Sequence, residues 1–79
     1  MNTIETEGLK TITMYAAKDK DFGYYLYRER PGRFNCDGIE YWVGKGRYPI
    51  SDKLALEMFG ELKWEDDPIE IEVSIKRKG

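Results

Sequence analysis

Residues 69–76, Ile-Glu-Ile-Glu-Val-Ser-Ile-Lys, alternate apolar and polar side chains without a break. Period two is the signature of a strand with one buried face and one wet face. A chain that carries such a strand must supply a sheet for it to join and a second layer to cover its apolar side. Pro68 stands at the start, where a missing N–H costs a strand little. The 68 residues before it are therefore read for strands and for a covering helix.

Leu9 to Ala17 shows the same alternation, with Ile12 and Met14 set between Thr11, Thr13 and Tyr15, and predicts a first strand. Asp19-Lys20-Asp21-Phe22-Gly23 then offers turn chemistry. Residues 24–30, Tyr-Tyr-Leu-Tyr-Arg-Glu-Arg, predict a second strand stopped by Pro31-Gly32. Asn35-Cys36-Asp37-Gly38 reads as a turn, and Ile39-Glu40-Tyr41-Trp42-Val43 as a third strand ended by Gly44-Lys45-Gly46. These three strands are expected to form an antiparallel meander.

The period changes after Pro49. Ser51 is a good N-cap, Asp52 suits the positive end of the helix dipole, and Ile50 can staple the start. Leu54, Ala55, Met58, Phe59 and Leu62 share one helical face, and Gly60 is placed to end the helix near Phe59. The order β-β-β-α-β predicts an α+β two-layer sandwich: a four-stranded, mostly antiparallel sheet with one helix on one face. The last strand is expected beside the first. At 79 residues the whole chain is expected to be a single domain, with residues 1–8 a loose polar lead-in.

Composition narrows the function classes. Apolar residues make up 41% and charged residues 35%, the profile of a globular domain rather than a disordered chain. Thirteen basic against fifteen acidic residues leave a net charge of −2, which gives no general attraction to nucleic acid or anionic membranes. There is no apolar run long enough to span a membrane, and Met1 to Glu5 lacks the basic start of a signal peptide. With one cysteine, Cys36, no internal disulfide forms, and a cytoplasmic location is expected.

Catalytic chemistry is poorly supplied. The chain has no histidine, Cys36 therefore has no His partner, and one cysteine builds no zinc site. Asp21-Phe22-Gly23 matches a kinase triplet, but a kinase needs a second lobe, a Gly-rich loop and a catalytic loop that do not fit here. Glu65-Asp66-Asp67 lacks the alternating oxygen ligands and central glycine of a calcium loop. No enzyme, metal or cofactor is expected. Gly44-Lys45-Gly46-Arg47 precedes a helix N-terminus, so Lys45 and Arg47 are candidate anion contacts; the alternative is a plain strand-to-helix connection.

Strand parity concentrates the aromatic residues. If the helix covers the face bearing Ile12, Met14, Leu26, Ile39, Tyr41, Val43 and the Ile69 to Ile75 series, then Tyr15, Tyr25, Tyr27 and Trp42 share the other face. A sandwich with one helix leaves that face open. Three readings follow: cross-strand pairs that stabilise a thin sheet, a protein interface with a foreign partner or a second copy, or a sheet on which single-stranded nucleic-acid bases stack. Arg28 sits at the edge of the group.

The stretches "ISDKLALEMFGEL" (50–62) and "LKWEDDPIEIEV" (62–73) resemble the C-terminal half of short uncharacterised proteins of bacteriophage and mobile-element genomes. The resemblance implies a small accessory protein that binds or inhibits a host protein such as a defence nuclease. It favours the protein-interface reading, with Tyr15, Tyr25, Tyr27, Arg28 and Trp42 as the expected contact residues. Single-stranded nucleic-acid binding and homodimer formation stand as alternatives.

Overall fold

The computed structural model describes residues 9–76. The lead-in expected over residues 1–8 lies outside the described residues, as does the polar end at 77–79. Over the described residues the chain is α+β, with a fully antiparallel four-stranded sheet, a separate two-stranded sheet and one helix.

Strand β1 (Leu9–Lys18) and strand β2 (Tyr24–Tyr27) are joined by the charged turn at 19–23, where the Asp19 N–H donates to the Gly23 carbonyl at 3.0 Å. Strand β3 (Gly32–Cys36) and strand β4 (Ile39–Val43) form a hairpin of their own. Its turn residues Asp37 and Gly38 take φ of 53° and 84°, the type I′ pattern that follows strand twist. Asn35 Oδ1 accepts the Gly38 N–H at 3.0 Å. Strand β5 (Tyr48–Ile50) leads into helix α1 (Asp52–Phe59), and strand β6 (Ile69–Lys76) closes the order. The sheet runs β5-β2-β1-β6.

The helix obeys its local signals. Ser51 Oγ accepts the Leu54 N–H at 3.1 Å, Asp52 lies in the first turn, and the Gly60 N–H donates back to the Ala55 and Leu56 carbonyls at 3.2 Å. One face of the sheet packs against it. Met14, Ala16, Tyr24, Leu26, Ala55 and Leu62 are buried together, and Ile12, Ile50, Phe59, Ile69, Ile71 and Val73 pack around them. Tyr24 meets Phe59 edge to face at 6.0 Å. The helix is too short to bury its whole predicted face, and Leu54 and Met58 remain exposed.

Three strands depart from expectation. The predicted third strand, β4, does not pair with β2. Its partner is β3, which lacks β-branched residues and so carries no strand signature. The fourth place in the main sheet goes instead to β5, whose central Pro49 is tolerated at a sheet edge. The meander is therefore interrupted after β2. Ile39, Tyr41 and Val43, expected beneath the helix, lie exposed on the hairpin.

Candidate functional site

Tyr15, Tyr25 and Tyr27 share the sheet face opposite α1, and Trp42 joins them from the separate β3–β4 hairpin rather than from the same sheet. In the β1–β2 register Tyr15 lies opposite Tyr27 and Ala17 opposite Tyr25. That face is not open. The hairpin folds over it and drives Trp42 into a second core with Ala17 and Tyr27, flanked by half-buried Tyr15, Tyr25 and Trp64. Tyr27 is fully buried and Trp42 is 4% exposed. The expected open aromatic patch is thus an interior layer, because a roof that sequence pattern did not announce covers it.

Several contacts hold the roof down. The Trp42 indole N–H donates to the Lys18 carbonyl at 2.9 Å, and its ring meets Trp64 edge to face at 5.2 Å. The Arg33 guanidinium lies over both indoles, 4.5 Å from Trp42 and 5.1 Å from Trp64, and donates to the carbonyls of Trp64 at 2.7 Å and Asp66 at 3.0 Å. Arg33 therefore clamps the 64–66 loop to the hairpin through stacking and charge-assisted hydrogen bonds. Lys20 and Glu40 add an exposed ion pair at 2.6 Å, a minor contribution.

The expected anion loop is committed elsewhere. Arg47 donates to buried Asp19 at 3.0 Å and stacks 3.8 Å over the Tyr25 ring, so its charge already has a carboxylate. Lys45 is exposed, and its carbonyl accepts the Arg28 N–H at 2.9 Å. The two glycines answer to packing. A Cβ on Gly44 would stand 2.8 Å from the Tyr27 ring, and Gly46, at φ 66°, has the Arg28 side chain against it. Arg28 is exposed beside this loop. Cys36 is a free, exposed thiol.

Among the described residues the buried Tyr27 hydroxyl has no partner of hydrogen-bond geometry, although the Arg47 guanidinium lies close enough to influence it. Burial raises its pKa, while the nearby Arg47 charge pulls the other way. The unfolded phenol ionises near pH 10. Above that pH the unfolded chain releases a proton that the folded chain keeps, so stability that is full below about pH 10 falls as pH rises toward the folded value. Tyr27→Phe is expected to flatten this alkaline loss and to leave neutral-pH stability equal or up to about 1 kcal/mol higher. Urea midpoints at pH 7 and pH 11 check both. A loss above about 1 kcal/mol at pH 7 would mean that the hydroxyl has a partner after all.

Covering the old face creates a new one. On the hairpin, Gly32 lies opposite Val43, Phe34 opposite Tyr41 and Cys36 opposite Ile39. Period two places all six on the outer side, while Arg33 and Trp42 point inward. The four large apolar members are 36% to 65% exposed. No sequence signal marked Phe34, because β3 itself was not legible. A second feature, an open cleft of about 460 Å³ on the helix side, is lined by Lys18, Lys20, Lys63, Asp52, Glu61 and Tyr24 among others. Its charges are mixed. Lys18 spends its ammonium on the carbonyls of Asp19 and Phe22, and Lys20 spends its own on Glu40.

Among the described residues no three His, Cys, Asp or Glu side chains gather as a metal site, and no helix is long and apolar enough to cross a membrane. No family model matches the chain, and neither the curated proteins nor the solved structures yield a match.

Proposed function

We propose that this chain is a non-enzymatic protein-binding module whose contact surface is the outer face of the β3–β4 hairpin. One observation carries the reading: Phe34, Ile39, Tyr41 and Val43 lie exposed together, with Cys36, on one side of a two-stranded hairpin. A contiguous exposed apolar patch on a small domain costs solubility and gains nothing unless something covers it. Aromatic residues with a rigid backbone behind them make efficient contact area. Trp42 and Arg33 anchor the inner face of the hairpin to the body of the fold.

A Phe34→Thr/Ile39→Thr variant tests the surface. Threonine keeps strand propensity, and both positions are exposed, so stability should change by no more than about 0.5 kcal/mol. Tagged native and variant proteins are used to capture partners from host lysate, with and without nuclease. A discrete polypeptide retained after nuclease and lost with the folded variant is the expected result. Identical capture by both proteins would remove the hairpin from the binding surface. Recovery of nucleic acid that is lost with the variant would favour base stacking instead, and a concentration-dependent dimer lost in the variant would make the occupant a second copy.

A further inference from the structure

The four-stranded sheet has two very different edges. At one side β5 is three residues long with Pro49 at its centre, so little ladder is left to offer. At the other side β6 runs eight residues, Ile69–Lys76, without proline, glycine or interruption. It pairs with β1 from Ile69 through Lys76 and, among the described residues, has no strand on its far side. Alternate N–H and C=O groups along that side therefore have no ladder partner among the described residues.

The side chains of β6 say what would fit there. Towards the helix face it presents Ile71 and Val73, half-buried, and Ile75, 50% exposed. Its other face presents Glu70, Glu72 and Ser74, all exposed. Across β1 these three lie opposite Tyr15, Thr13 and Thr11, none of them charged. Neither glutamate has an ion-pair partner among the described residues. The edge therefore combines free backbone, an unfinished apolar row and an uncompensated carboxylate row.

We infer that the free edge of β6 accepts an extended segment of another protein in which β-branched residues alternate with lysine or arginine. The added strand would continue the ladder, extend the apolar row beside Ile71, Val73 and Ile75, and set its cations beside Glu70 and Glu72. A second copy of β6 is the poorer occupant, because it doubles the carboxylates on that face. This site is separate from the hairpin and does not depend on it.

The test uses the full chain and a fluorescent, end-blocked peptide, Lys-Val-Lys-Val-Lys-Val-Lys, titrated by anisotropy. The native chain is expected to bind it more tightly than a peptide of the same residues ordered Lys-Lys-Lys-Val-Val-Val-Lys. Glu70→Lys/Glu72→Lys, with both positions exposed, should lower the affinity at least about tenfold and favour the Glu-Val counterpart instead. Two N-methylated isomers, each blocking alternate amides, separate strand addition from simple charge attraction. One isomer should lose binding and the other keep it, because a strand turns alternate amides to each neighbour. Equal behaviour of the isomers, undiminished binding by the charge-reversed variant, or no binding at millimolar peptide would overturn the proposal. So would sedimentation of the chain as a dimer whose β6 amides are already protected from exchange. The Phe34→Thr/Ile39→Thr variant should bind the peptide like the native chain, so failure at the hairpin and failure at β6 are read separately.

Discussion

Trp42→Ala is expected to cost about 3–5 kcal/mol, the range for emptying a buried tryptophan site. A domain of this length has roughly 4–12 kcal/mol to lose, so a large share of the variant should be unfolded or loosened at 37 °C. The indole ring fills the layer with Ala17 and Tyr27, supports Trp64 edge to face, and provides one of the two faces on which Arg33 lies. Its N–H satisfies the Lys18 carbonyl. Truncation leaves a void, a carbonyl without its donor and a guanidinium with half its platform. The hairpin has no other deeply buried side chain, since every β3 residue and most of β4 are exposed. Loss should therefore begin as local release of residues 32–43 rather than as uniform weakening. Hydrogen exchange is the discriminating measurement: β3 and β4 amides should lose protection first, while β1 and β6 keep theirs. Trp42→Phe should recover part of the stability through ring packing but not the N–H. A urea midpoint for Trp42→Ala within about 1 kcal/mol of native would show that the roof contributes little.

The same residue shows how far the chain could be read in advance. Elements with a clean period or a cap were legible: β1, β6 and α1 stand where alternation, Ser51 and Gly60 put them. Parity grouped Tyr15, Tyr25 and Tyr27 on one sheet face, whereas Trp42 reaches them from a hairpin outside that sheet; the expected pairing of the last strand with the first is present. What could not be read was the cover. Gly32-Arg33-Phe34-Asn35-Cys36 has poor intrinsic strand propensity and becomes a strand because the Asp37-Gly38 turn sets the register and Arg33 fastens it to a loop some thirty residues away. Long-range stapling leaves no local pattern. The consequence for function is direct: the interior aromatic layer and the exposed apolar face exchange roles, and Phe34, Ile39, Tyr41 and Val43 become the surface to test.

Arg47→Ala is the second large effect, expected at about 2–4 kcal/mol from the cost of leaving a buried charge without its partner. Asp19 is almost wholly buried, and its side chain accepts from Arg47 and from the Lys20 N–H at 3.1 Å. Removing the guanidinium leaves the carboxylate with that single N–H. It also strips the cation from the Tyr25 face. Arg47 itself is 44% exposed, so water reaches part of the site and the cost is smaller than for breaking a fully enclosed pair. The partners should be unequal. Asp19→Asn keeps the shape and returns Arg47 to solvent, so its cost should be smaller, about 1–2 kcal/mol. In the double variant most of the Arg47 penalty should disappear, because no buried charge remains to be stranded. Urea midpoints across this four-membered cycle measure the coupling. A coupling near zero, with Arg47→Ala within about 0.5 kcal/mol of native, would mean that the carboxylate is hydrated and the arginine free. Lys45 and Arg47 would then return as a pair of available cations at the helix approach. A coupling of about 1 kcal/mol or more assigns Arg47 to the fold and leaves partner recognition to the hairpin face and the β6 edge.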